Sequence, residues 1–182
     1  MPVDEFREPI DTAHPSEELA AVFSALDEDG AIVVGSVDDL LGLVTPMDVL
    51  HYLYSVAEPF VQLGEIERAL REIITRSIGP ADIEACARVA LADRYDGRED
   101  DLPVVPTDMT FGELVNLIRH GENYPHFAPL LGAQRDLVPP RLSPLPTLRN
   151  VVFHFRRELT EQERLQIAEA RNWLLRKLWG RP

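Results

Sequence analysis

Apolar residues along the chain keep two kinds of spacing, and the change comes near residue 57. Before it, short segments of different period alternate. Leu19, Val22, Phe23 and Leu26 recur at helical intervals after Pro15-Ser16-Glu17-Glu18, which predicts a helix with Ser16 as its N-cap. Asp27-Glu28-Asp29-Gly30 reads as a turn. Ala31-Ile32-Val33-Val34 is a β-branched run that predicts a buried strand, and after a turn over Gly35–Asp39 the run Leu40–Val44 predicts a second. Thr45-Pro46-Met47-Asp48 then opens a helix through Val49, Leu50, Leu53 and Val56, with Thr45 or Pro46 at its start. The expected order is helix, strand, strand, helix.

From residue 57 onward only helical spacing remains. Phe60, Leu63, Ile66, Leu70, Ile73 and Ile74 form one stripe, ended by Gly79-Pro80, and a further helix is expected from about Ala81 to Arg94. Tyr95–Asp108 is acidic, holds Gly97, Pro103 and Pro106, and reads as a loop. Thr110-Phe111-Gly112-Glu113 and Thr160-Glu161-Gln162-Glu163 are capping boxes that open two more helices. Between them Leu145, Leu148, Val152 and Phe155 share one face, and the last helix carries Ile167, Ala170, Leu174 and Leu178 on one side. The fold class is therefore α+β: a small α/β unit over residues 1–58 and an all-helical bundle over residues 59–182.

At 182 residues, 45% hydrophobic and 27% charged, the chain has the composition of a globular protein with a core. Its single cysteine, Cys86, excludes a disulfide framework and fits a reducing compartment. The acidic start, Met-Pro-Val-Asp-Glu-Phe-Arg-Glu, lacks the apolar stretch of a secretory signal, and no apolar run reaches the ~20 residues of a membrane span. The expected location is the cytoplasm. Charge is divided unevenly. Residues 1–140 hold nine Arg, no Lys and 27 acids, a net of −18, whereas residues 141–182 hold eight Arg and one Lys against four Glu, a net of +5. Such a division fits either a solubilising acidic surface with a basic helix, or a C-terminal segment that faces a polyanion.

Two clusters offer chemistry. The first is Gly42-Leu43-Val44-Thr45-Pro46-Met47-Asp48, where a strand end meets a helix start. Such a junction presents backbone N–H groups to a phosphate, Thr45 adds a hydroxyl, and Asp48 can accept bonds from ribose hydroxyls. Capping alone also accounts for Thr45 and Asp48. The segment over residues 8–58 resembles a CBS domain, through the pattern Gly42-Leu43-Val44-Thr45-x-x-Asp48. That resemblance implies an adenosine nucleotide as regulatory ligand, bound at Thr45 and Asp48. CBS motifs come in tandem and only one copy is present, so the resemblance implies pairing between two chains.

The second cluster is Arg149-Asn150-Val151-Val152-Phe153-His154. Asn150 and His154 are four apart and are expected on one helix face, while Arg149 lies about 140° from His154 around a regular helix. A core-facing histidine with surface arginines is the structural alternative. The motif resembles the Arg-Asn-x-x-x-His signature of the HEPN superfamily. Glu65–Ile74, Thr110–Val115 and the helix after Thr160 are similar to other parts of that family, so the resemblance extends over residues 57–180.

It implies a homodimeric, metal-independent endoribonuclease acting on RNA as a toxin or defence effector, with Arg149, Asn150 and His154 as catalytic residues. The side chains suit that chemistry. Histidine titrates near neutrality and can take a proton from a 2′-OH, and the arginine fork matches phosphate oxygens. No His, Cys, Asp and Glu grouping has metal-ligand spacing, so no catalytic metal is expected. The other reading is a non-catalytic nucleotide-binding module used for regulation or dimerisation. Whether an antitoxin partner exists is not written in the sequence. Glu67, between Leu63 and Leu70, needs a partner, and Arg71 or Arg149 can supply it. Cys86 is expected in the core.

Overall fold

A computed structural model describes residues 11–36 and 38–180; the acidic N-terminal octapeptide and Val37 of the expected turn lie outside them. The fold is α+β, mostly helical, with one small sheet. The chain divides into two compact units, Met1–Ala57 and Glu58–Pro182.

In the first unit the sheet has three strands rather than the expected two. β1 (Thr12–Ala13) pairs in parallel with β2 (Ile32–Gly35), which pairs antiparallel with β3 (Leu40–Val44). β1 is a dipeptide, too short to show any alternation. α1 (Leu19–Asp29) starts later and ends later than its sequence predicts. Ser16 is not its N-cap; the hydroxyl instead bonds His14 Nδ1 at 2.7 Å, and Glu18 stands at the cap position. The acidic run is helical, and the turn falls on Gly30 alone, in the left-handed region at φ 74°. Gly35 is required where β2 leaves the sheet, because a Cβ there would collide with the Asp39 carbonyl. Leu26, Ile32, Val49 and Ala13 make this unit's small core.

α2 (Pro46–Ser77) is continuous where the spacing predicts two helices, and Pro59 lies inside it. Its later turns carry the expected stripe: Leu63, Ile66, Leu70, Ile73 and Ile74 are all buried in the second unit's core. α3 (Pro80–Leu91) contributes Ile83, Cys86 and Leu91, and burial pushes the Cys86 thiol up from its ordinary value, helped by the charge of Asp82. α4 (Phe111–Arg119), α5 (Tyr124–Leu131), α6 (Pro139–Leu142), α7 (Leu145–Phe153) and α8 (Glu161–Trp179) complete this unit, which among the described residues holds helices and turns only. α8 buries Ile167, Ala170, Leu174 and Leu178, the four residues its spacing selects. No described helix is long and apolar enough to cross a membrane.

The capping box at Thr110 has an unusual depth. Glu113 is 1% exposed, one of two buried polar residues in the described core. Its carboxylate accepts the Thr110 N–H at 2.7 Å and the Tyr95 hydroxyl at 2.7 Å, and Arg94 Nε lies 3.1 Å away. Asn123, the other, donates to the carbonyls of Cys86 and Leu117 and so ties α3 to the end of α4.

Candidate phosphate-binding cleft and the motif around it

α7 enters through Pro144, with Pro146 in its first turn, where a missing N–H costs nothing. It buries Leu145, Leu148, Val151 and Val152. The opposite side carries Arg149, half-buried, and Asn150, exposed. They line a cleft of about 410 Å³ together with Glu67 of α2, Arg94, and Thr110-Phe111-Gly112 at the start of α4. The Arg149 guanidinium lies 4.5 Å from the centre of the Phe153 ring, and its Nη1 reaches the side-chain oxygen Oδ1 of Asn150 at 3.5 Å. Its Nε is buried and meets no hydrogen-bond partner among the described residues. A buried donor left unmade costs about 1–3 kcal/mol.

The acidic member of this cleft is neutralised internally. Glu67 pairs with Arg71 at 2.5 Å, and Arg71 in turn donates to the carbonyls of Pro106 and Met109, so Arg71 and not Arg149 is its partner. Arg94 is paired in turn with Glu113, whose carboxylate also caps the start of α4, so the charge that the cleft keeps free is that of Arg149. A guanidinium of that kind suits a phosphate.

His154 is placed differently from expectation. The helix ends at Phe153, and His154 is its C-cap at φ −106°, ψ 9°. The imidazole is exposed, does not line the cleft, and makes no hydrogen bond among the described residues. Asn150 and His154 thus do not share a run of regular helix. Phe155 differs more sharply: it is 79% exposed, not a core residue of the Leu148–Val152 stripe. The chain reverses there, at φ 49°.

At the start of α2, Thr45 and Asp48 bond each other. The Thr45 N–H and hydroxyl donate to Asp48 Oδ2 at 2.9 and 2.6 Å, and the Asp48 N–H donates back to the hydroxyl at 3.3 Å. These bonds, the Thr45 hydroxyl foremost, hold the Asp48 carboxyl below its ordinary value. The pair acts as a helix cap. A separate apolar pocket of about 290 Å³ lies between the sheet and α1, lined by Ala13, Val22, Leu26, Ile32, Val34 and Val44; neither Thr45 nor Asp48 lines it. Asp48→Ala is expected to lower the unfolding temperature with no ligand present, because the first turn of α2 loses its acceptor. An unchanged circular-dichroism melt would show the cap to be idle.

The C-terminal excess of positive charge is partly consumed inside the fold. Arg157 pairs with Glu163 at 2.6 Å, and Arg171 with Glu65, while Arg141 covers the Trp173 ring at 5.5 Å. The Arg157 contact and the Thr160 N–H pull the Glu163 carboxyl down to about 2. Arg149 and Arg156 keep no such acidic partner among the described residues. The chain matches no protein-family model, no curated protein and no solved structure.

Sequence reasoning did not find Arg94, which comes from a 3₁₀ turn with no motif of its own. Phe111 and Gly112 were signalled indirectly by the capping box that fixes the start of α4.

Proposed function

We propose that the protein is a homodimeric endoribonuclease of HEPN type that needs no catalytic metal, regulated by an adenosine nucleotide bound to a CBS-like first unit, and acting as a toxin or defence effector. The observation that carries the reading is the cleft that Arg149 and Asn150 line together with the start of α4. Such a cleft suits the scissile phosphate. Arg149 neutralises its charge as the phosphorane develops, and Asn150 orients one oxygen. An imidazole removes the 2′-OH proton, the 2′-oxygen attacks phosphorus as the bond to the 5′-oxygen breaks, and the imidazolium returns its proton to that leaving oxygen. The products carry a 2′,3′-cyclic phosphate and a 5′-hydroxyl.

Because His154 stands outside its own chain's cleft, the imidazole is supplied across a two-fold axis by a second copy. The first unit supports pairing as well. β3 exposes Leu40, Leu41 and Leu43 at 57–67%, and the first turns of α2 expose Met47 and Leu50 at 56–57%. Exposed apolar side chains gathered on one strand and on the helix turns that follow it suit an interface. The nucleotide acts by favouring one arrangement of the dimer.

The exposed, unpaired His154 also favours a second reading, a non-catalytic nucleotide-binding module of CBS-HEPN type used for regulation or dimerisation. Purified protein incubated with single-stranded RNA in chelator separates the two. Cleavage to cyclic-phosphate ends, with light scattering at twice 20.5 kDa, is expected. Intact RNA with or without adenosine nucleotides selects the second reading, and a monomer at micromolar concentration defeats the shared site.

A further inference from the structure

We propose that Phe155 is a stacking platform that holds an unpaired base of the RNA beside the motif. The proposal rests on the RNA reading given above and specifies it. Its first ground is conformational. α7 ends with the Arg156 N–H bonded to the Val151 carbonyl at 3.1 Å and the Phe155 N–H to the Val152 carbonyl at 3.3 Å. This is a Schellman ending, in which the left-handed position normally falls to glycine. Here it falls to phenylalanine, the one non-glycine residue with positive φ among the described residues. A bulky side chain in that region is strained, and such strain collects at functional sites.

Burial does not offset the strain. Phe155 is 79% exposed, and its ring has Phe60 as aromatic neighbour, 5.7 Å away between centroids. Phe60 also touches Phe153 at 5.3 Å, and Phe153 lies under the Arg149 guanidinium. An unbroken series of contacts therefore runs from the cleft arginine to the open ring.

Its second ground is charge. Arg149 at one end of this series and Arg156, next to Phe155, both lack an acidic partner among the described residues. Exposed rings between free cations are the usual means of holding single-stranded nucleic acid, because bases stack while phosphates pair. In a duplex both faces of a base are already covered, so only an unpaired base can use such a ring. Phe155 directly follows His154, so a base stacked there sets its nucleotide beside the group that takes the 2′-OH proton.

The test is fluorescence anisotropy with a labelled short oligouridylate, in a His154→Ala background so that binding is read without turnover. Phe155→Gly is expected to weaken binding about 10-fold or more. The same change relieves the left-handed strain, so the melting temperature holds or rises. Phe155→Trp keeps the affinity, and a hairpin duplex binds more weakly and without regard to residue 155. Unchanged oligouridylate binding by Phe155→Gly overturns the proposal, as does no binding by the parent or equal losses on the duplex. A dimer that becomes monomeric on Phe155→Gly also overturns it, and assigns the ring to a protein contact. Failure of the two readings is separable. Residue-155-dependent binding without any cleavage removes the nuclease alone, whereas cleavage unaffected by Phe155→Gly removes the platform alone.

Discussion

His154→Ala is expected to slow RNA cleavage on the order of 10²- to 10⁴-fold, the contribution of a positioned proton-transfer group. The variant should keep its melting temperature, because the imidazole is exposed and makes no hydrogen bond among the described residues. Arg149→Ala is expected to act comparably on the rate, through loss of charge stabilisation at phosphorus. Arg149→Lys should not restore it, since an ammonium presents no fork to two phosphate oxygens. Initial rates on end-labelled single-stranded RNA measure both. One mixture decides where the imidazole comes from. If each cleft uses His154 of the other copy, Arg149→Ala and His154→Ala chains mixed and re-associated regain activity, since one cleft of the heterodimer is then intact. No gain from mixing would mean that both groups act within one chain.

Glu113→Ala is expected to destabilise the second unit by about 3 kcal/mol, which corresponds to a fall of about 10 °C in melting temperature. The change leaves the Tyr95 hydroxyl and the Thr110 N–H without their acceptor, and separates Arg94 from its buried counter-charge. Burial pushes the Glu113 carboxyl up, but the bonds from Thr110 and Tyr95 and the charge of Arg94 prevail, and the net shift is downward from 4.5. A carboxyl lowered in the folded state stabilises above its unfolded value and loses that contribution as pH falls through the folded one. The difference between the parent and Glu113→Ala should therefore be full at neutral pH and shrink below about pH 4.5. Thermal melts across that range check it. A difference independent of pH would mean that Glu113 acts only by filling space.

How much of this was legible in the sequence depends on whether a residue's role is local. Both capping boxes were, because Thr110 with Glu113 and Thr160 with Glu163 act within one turn of helix. The buried stripes of α2 and α8 were legible for the same reason, since a fixed period defines a face. Phe155 was not. Its place at i+7 from Leu148 continues the α7 stripe on paper, and neither glycine nor asparagine marks the left-handed residue that ends the helix. β1 escaped because two residues carry no period. Thr45 and Asp48 suit a ligand site and a cap alike in the sequence, and their mutual bonds are a matter of distances that no spacing announces. The cleft itself gathers α2, the turn holding Arg94, α4 and α7, and nothing local announces a meeting of distant segments.

The bonds between α2 and α8 set a timetable for synthesis. Glu65 waits for Arg171, 106 residues downstream, and Arg76 waits for the Leu178 carbonyl, 102 residues downstream. At translation speeds of about 5–20 residues per second, these two bonds form no sooner than roughly 5–20 s after α2 is made. The last partners of α2 therefore arrive with the final helix of the bundle. A nascent chain therefore carries the Arg149 motif for only a short time before the fold around it can close.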